Sequence, residues 1–421
     1  MMVSNLSQFK TQANRQYFNC FKKKLVPLNG IQVVLDKKMT SRDFFFELLK
    51  SGLWSCPSSF NGQVDWHQMK EMAKMQSVTG ILFDGIQHLR KTQRPPTRML
   101  LDWFGQTLHI ESANIKHNQD LASLVDFLRN EGVDSRLLKG QGCASYYPNP
   151  LHRQCGDIDL FVGKEQYGRA LHLIESKGIR IEKESVKDAH FIWRNTQVEL
   201  HWIEEYFYSR RLNGRLQQIF RKEEWKNPKV IMVEGVSVAM LNPTLNVFHV
   251  FVHLWHHFLQ VGVGLRQICD WMLILKRDEC LIDWISIHKY VKRMGAERAW
   301  CAFYGLTVKY LGLELTNVPV WMQAWRDYDV DEIVKDVLIQ GNFGQYGESM
   351  RRRQFKNGLI KNIGSFGALG CRLMRVWKFG RREVVAYPLW RLFRDDSMMK
   401  RYKQQKNLKQ CTSISKDCSI F

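Results

Sequence analysis

Apolar residues along this chain follow two periods, one helical and one strand-like, and the changes between them mark out its regions. Between residues 96 and 130, Leu100, Trp103, Leu108, Ile115, Leu121, Leu124 and Leu128 recur at helical spacing and predict one long helix or two. Ahead of it, the run DFFFELLKSG reads as a helix capped by Thr40 or Ser41, with Asp43 in its first turn and Gly52 at its C-terminal stop. Residues 66–90 read as one or two further amphipathic helices. After Gly132 the pattern shortens. Leu137 and Leu138 form a brief strand, residues 158–162 an apolar one, and residues 190–193 lie opposite 198–202 across a turn. A helix is expected over 166–176, and a short strand over 230–238 near Glu234-Gly235. Asn242-Pro243 then starts an all-helical half, because proline is pre-set for the first helical position. Helices are expected there over 244–258, 265–276, 283–294, 297–311 and 330–339.

This order places the chain in the α+β class: a small mixed sheet with flanking helices, preceded by a helical N-terminal segment and followed by a helical C-terminal domain. The expected boundaries are a flexible tail over 1–38, helices over 39–131, the sheet-bearing core over 132–241, a helical domain over 242–350 and a basic tail over 351–421.

Charged residues interrupt the strand pattern in informative places. Side chains alternate between the faces of a strand, so Asp157 and Asp159 of DIDLFV project from the same side. In VELHW, Glu199 and His201 share one face while Val198 and Leu200 take the other. Adjacent carboxylates repel, and a divalent cation between them relieves the repulsion. Oxygen ligands of this kind favour Mg²⁺ or Mn²⁺, which keep coordination positions for phosphate oxygens. Lys139 and Gly140 end the first strand, and the amides of Gln141 and Gly142 follow where a helix start would meet a phosphate. Lys139 is either a nucleotide contact or a solvated charge. Arg153 is either a bidentate phosphate clamp or a partner for one of the aspartates.

The segments LLKG, YP-x-P, R-x-x-x-DIDLFV and VELHW together resemble a family of bacterial nucleotidyltransferases within the DNA polymerase β-like superfamily, over about residues 40–344. The resemblance implies a polymerase-β-like core that transfers a nucleoside monophosphate from an NTP to an acceptor with Mg²⁺ or Mn²⁺. It implies Asp157, Asp159 and Glu199 as catalytic residues and metal ligands, with Glu199 completing the metal site, polarising the acceptor hydroxyl or acting as base. Lys139, Gly140, Gln141 and Arg153 would line the nucleotide. The superfamily usually has Gly-Gly or Gly-Ser after the first strand, whereas this chain has Gly140-Gln141-Gly142. Relatives occur in polysaccharide-biosynthesis neighbourhoods, which implies a small molecule, sugar or glycan intermediate as acceptor. An RNA- or protein-modifying transferase and a catalytically inactive NTP-binding scaffold are the alternatives. The family also carries a similar histidine-rich helix and R-Q-x-x-D segment, so His253 (or His257), Arg266 and Asp270 are expected as an acceptor or base wall. The competing reading of Arg266 and Asp270 is a structural pair one helical turn apart. Zinc on His249, His253 and His257 is disfavoured, because no carboxylate or cysteine is interleaved.

Composition narrows the partners. A formal charge of +21 and a pI near 9.6 favour anionic ones: nucleotides, nucleic acid or an acidic membrane surface. Basic and aromatic residues alternate from Arg372 to Arg394, including Arg375, Trp377, Lys378, Arg381, Arg382 and Trp390. Such a segment suits the surface of an anionic membrane, a nucleic-acid backbone or a helix face packed on the core. Ten cysteines without a CxxC pair indicate a reduced, cytoplasmic setting, extending to peripheral attachment at the inner membrane face. No run of eighteen apolar residues predicts a transmembrane helix.

Overall fold

A computed structural model describes residues 39–58, 60, 62–328, 330–346 and 358–393. The expected tail over 1–38 and the outer parts of the expected basic tail, 351–357 and 394–421, lie outside the described residues. The chain begins with α1 (Ser41–Trp54), α2 (Trp66–Gln76), α3 (Thr79–Gln87) and α4 (Thr97–Asn130). Thr40 caps α1 in a reciprocal box with Asp43, as the sequence pattern suggests. Gly52, however, is not the stop. It lies inside α1, and a Cβ there would fall 2.0 Å from the Ile81 carbonyl oxygen, while one on Gly85 would fall 2.1 Å from that of Leu48. These two glycines let the backbones of α1 and α3 touch, and α1 ends instead at Ser55 in a left-handed conformation. The 34-residue α4 is a single helix. Its Trp103, Leu121, Leu124 and Leu128 are buried, but Leu108 and Ile115, expected on the same buried face, are exposed.

The sheet comprises β1 (Arg136–Leu137), β2 (Ile158–Phe161), β3 (Lys183–Glu184), β4 (Asp188–Trp193), β5 (Thr196–His201), β6 (Lys229–Val233) and β7 (Val236–Met240), in the order β3-β4-β5-β2-β1-β7-β6. It is mixed: β2 runs parallel to β5 and β1 parallel to β7, and the other neighbours are antiparallel. Between its strands come the four-residue α5 (Gln141–Ala144), α6 (Gly163–Ser176) and α7 (Arg210–Glu223). The single strand expected over 230–238 is a hairpin, because Glu234 and Gly235 both take positive φ and reverse the chain. One face of the sheet is dry: Ile158, Leu160, Ala189, Phe191, Val198 and Leu200 are buried there.

The second half is helical: α8 (Pro243–Gln260), α9 (Leu265–Arg277), α10 (Trp284–Met294), α11 (Glu297–Leu311), α12 (Val330–Gln340) and α13 (Gly358–Phe393). Asn242 caps α8 through its side chain, with Pro243 in the first turn. Almost all of α8 is buried, and Phe251, Trp271 and Trp300 meet around it at centroid distances of 4.6–5.6 Å. Polar contacts lock this half to the sheet. The Tyr146 hydroxyl donates to Asp278 at 2.6 Å, and Lys229 donates to the same carboxylate at 2.7 Å.

Part of the basic C-terminal stretch is folded onto this core. Arg372 is buried and donates to both Asp336 oxygens at 2.8 and 2.9 Å. Glu383 accepts from the Tyr208 and Ser209 amides at 2.9 Å. Gly380 bends α13 where a Cβ would fall 2.5 Å from Leu259 Cδ1. Met374, Trp377 and Leu389 remain exposed on it. Among the described residues no helix is long and apolar enough to cross a membrane.

Candidate active site

The sheet face opposite the apolar one carries the charged residues of β2, β4 and β5. Parallel pairing of β2 with β5 sets Asp159 directly beside Glu199, and antiparallel pairing of β4 with β5 sets Glu199 beside His190 and His201 beside Asp188. Alternation along each strand keeps Asp159, Glu199, His201, Asp188 and His190 on this one face. Asp157 stands just before β2, close enough that the charge of Asp159 raises its pKa, with burial adding to the effect. Sequence spacing singles out Asp157, Asp159 and Glu199 as candidates, and the strand register brings Asp159 and Glu199 side by side. Among the described residues, the groups whose ligand atoms all lie within 4.8 Å of one another are Asp159–Glu199–His201 and Asp188–His190–Glu199; Asp157 belongs to neither.

Lys139 reaches this face from the end of β1. Its ammonium lies 2.8 Å from Asp159 Oδ1, and the same oxygen meets His201 Nε2 at 3.1 Å. Burial alone would raise the Asp159 carboxyl, but Lys139 and His201 outweigh it and hold it well below the usual range. Glu199 behaves oppositely. Burial and the neighbouring Asp159 charge push it up to about 7. Gly140 takes φ +52° and ψ −120°, a conformation that favours glycine, and a Cβ there would lie 3.2 Å from the Asp157 carbonyl. Gln141 opens α5, buried, with its side-chain amide directed at Asn114.

Four residues expected at the site, Arg153, Asp270, Arg266 and His253, have other hydrogen-bond partners. Arg153 grips Asp270 with Nε at 3.0 Å and Nη2 at 2.6 Å, both side chains buried, and Tyr147 donates to the same carboxylate at 2.7 Å. Arg153 gives these hydrogen bonds to Asp270 rather than to an aspartate of DIDLFV, while its charge, like that of Arg266, still acts to lower the Asp157 pKa. Arg266 donates to the Gln154 carbonyl at 2.7 Å rather than pairing along its own helix with Asp270. His253 Nδ1 lies 2.8 Å from Glu205 Oε2, and His256 Nδ1 is 3.2 Å from the other oxygen. Burial, reinforced by the Lys139 charge, lowers His253 to about 4, so its imidazole is neutral at neutral pH.

Sequence reading gave no role to Lys187, Asp188, His190, His201 and Glu205. His201 was legible as the face-mate of Glu199. Asp188 and His190 show the same two-residue spacing on β4, which the pattern carried but the motif did not single out. Lys187 is raised to a high value: Glu205, Asp188, Glu199 and Asp159 outweigh its burial, which alone would lower it. It therefore remains charged among these carboxylates.

The donor set fits a hard divalent cation. Asp157, Asp159 and Glu199 offer anionic oxygens; repulsion from Asp159 together with burial raises Asp157, burial together with Asp159 raises Glu199, and a cation would relieve the repulsive part of both. Among solved structures, an antigenic nucleotidyltransferase-like protein from Paracoccidioides brasiliensis is similar over 48% of this chain and 94% of that one, at 12% identity and a TM-score of 0.30. No curated protein matches the chain. Residues 62–312, more than half the chain and spanning both the carboxylate face and α8 to α11, match the family described as uncharacterised nucleotidyltransferase, and the protein belongs to that family.

Proposed function

We propose that this protein transfers a nucleoside monophosphate from an NTP to an acceptor, a small molecule, sugar or glycan intermediate, with Mg²⁺ or Mn²⁺ held by Asp157, Asp159 and Glu199. The observation that carries this reading is the register of β2 against β5, which sets Asp159 beside Glu199 on the charged face. The bound cation would supply charge neutralisation for the phosphates. The chain's own groups do the rest. Lys139 and His201 both engage Asp159 Oδ1, which turns its other oxygen away from them. Lys139 and Lys187 add positive charge for a polyphosphate next to the carboxylates. The positive φ of Gly140 brings the chain after β1 close to the Asp157 backbone, so a nucleotide there would meet backbone amides rather than a side chain. Glu199, pushed up to about 7 by burial and by Asp159, would hold the cation in its ionised form or, where it stays off the cation, would take the proton of an acceptor hydroxyl near neutral pH.

Calorimetry with each of the four NTPs and Mg²⁺ tests the reading. Wild type should bind at least one of them only when the metal is present, and Asp157→Ala/Asp159→Ala should not. Absence of binding by wild type to all four would remove the proposal.

The pH dependence has a definite sign. Glu199 titrates at about 7 in the folded chain against an ordinary 4.5, so between these values the folded state holds a proton that the unfolded chain has lost. Its ionisation therefore lowers stability as pH rises through that window. Cation binding must expel the same proton below pH 7. The affinity for Mg²⁺·NTP should rise about fivefold from pH 6 to 7 and level off above it. Glu199→Gln should flatten that profile, as read by calorimetry across the pH range.

A further inference from the structure

The antiparallel β4–β5 pair sets four ligating side chains in a two-by-two block. His190 stands opposite Glu199, and Asp188 opposite His201. Within the block His190 Nδ1 lies 3.7 Å from Glu199 Oε1, and His190 Nε2 lies 2.9 Å from Asp188 Oδ1. Asp188, His190 and Glu199 each bring one ligand atom within 4.8 Å of the other two. A separate observation points into the same place. His201 is fully buried, its Nε2 is engaged with Asp159, and its Nδ1 has no hydrogen-bond partner although it lies 3.8 Å from Asp188 Oδ2. A buried ring nitrogen without a partner costs free energy unless something occupies the space before it.

The geometry points to a second cation site, built from Asp188, His190 and Glu199 with His201 Nδ1 aimed at its edge, that takes a borderline divalent metal of the zinc class. An imidazole joined to two carboxylates suits such a metal, whereas the all-carboxylate set of Asp157, Asp159 and Glu199 suits Mg²⁺. The charge around the site favours a dication. Among the described residues, the ammonium groups of Lys139 and Lys187 lie among the carboxylates Asp159, Asp188, Glu199 and Glu205, while Arg153 and Arg266 also act on Asp157. Lys187 Nζ is 3.6 Å from Asp188 Oδ2, and the Ser185 hydroxyl donates to Asp188 Oδ1. The incoming metal therefore competes with Lys187 for one oxygen and finds the other already oriented. Because Glu199 belongs to both donor sets, zinc bound here draws on the carboxylate that the Mg²⁺·NTP site of the proposed function also uses. The two metals are thus antagonists on this protein.

Zinc titration of the full chain, with chelator-buffered Zn²⁺ and Co²⁺ as the spectroscopic stand-in, tests the assignment. Wild type should bind one equivalent at this site, with a cobalt spectrum free of thiolate charge transfer. His190→Ala should weaken binding by well over about 100-fold, beyond the roughly 10–100-fold that loss of an outer-shell partner costs. His190 is partly exposed, and His190→Gln provides a second variant of closer volume whose folding is checked by circular dichroism. Asp157→Ala, which removes a carboxylate of the Mg²⁺ set and none of the zinc set, should keep zinc while losing Mg²⁺·NTP, so failure of the transferase reading and failure of the zinc site give different results. Unchanged zinc affinity in both His190 variants, thiolate absorption with cobalt, or no zinc bound by wild type would each overturn the site.

Discussion

Asp270→Asn is expected to destabilise the protein by about 3–5 kcal/mol, the cost of stranding one member of a buried ion pair. Arg153 and Asp270 are both buried and joined through two hydrogen bonds at 2.6 and 3.0 Å, with the Tyr147 hydroxyl on the same carboxylate at 2.7 Å. Asparagine keeps the volume but leaves a guanidinium in the interior without its counter-charge. A domain of ordinary stability, about 5–15 kcal/mol, would lose a large share of it. The pair also ties the turn after α5 to α9, and so ties the base of the charged sheet face to the helical half. Urea unfolding measures the effect as a shift in midpoint at constant slope. Arg153→Met/Asp270→Leu should recover most of the loss, because removing both charges removes the desolvation problem with them. A single Asp270→Asn variant as stable as wild type would show that the pair contributes nothing.

Asp159→Asn is expected to weaken metal-dependent NTP binding by about 100-fold or more, beyond the roughly 10–100-fold typical of an outer-shell partner. His201→Gln, which only orients Asp159, should fall within that smaller range. The expectation rests on position. Asp159 is the carboxylate that stands in register with Glu199 and also receives Lys139 and His201. The substitution also removes the counter-charge of Lys139, so thermal unfolding belongs beside the binding measurement. Its sign with pH follows from the lowered pKa of the folded carboxyl. Asp159 contributes stability above its ordinary value of 3.8 and loses it as pH falls through the lowered one. The gap in stability between wild type and Asp159→Asn should therefore close in acid. Equal affinity of the two proteins for Mg²⁺·NTP at neutral pH would take Asp159 out of the nucleotide site.

Much of the architecture was legible because periodicity is local. The alternation of Ile158, Asp159 and Leu160 states which side chains share a face whatever the strand pairs with. Asn242-Pro243 announces α8 through chain chemistry alone, and residues 297–311 form a helix with the bounds their pattern suggests. Where local signals serve two purposes, the reading diverged. Gly52 carries the freedom of a helix stop, but its lack of a side chain is used for contact with α3. Leu108 and Ile115 have the spacing of a buried face, yet among the described residues they remain exposed on α4.

The sequence by itself determined the α+β class, the faces of the strands, and the carboxylates Asp157, Asp159 and Glu199 as the chemistry worth locating. Only the tertiary structure decided who meets whom: Glu199 beside Asp159, Arg153 with Asp270 across 117 positions, His253 on Glu205, and Asp188 with His190 joining the same charged face. The division has a physical reason. Side-chain direction follows from the dihedral angles of neighbouring residues, which the local sequence biases. The partner of a buried charge is set by which strands and helices come together when the apolar faces are covered, and that is settled over the whole chain at once.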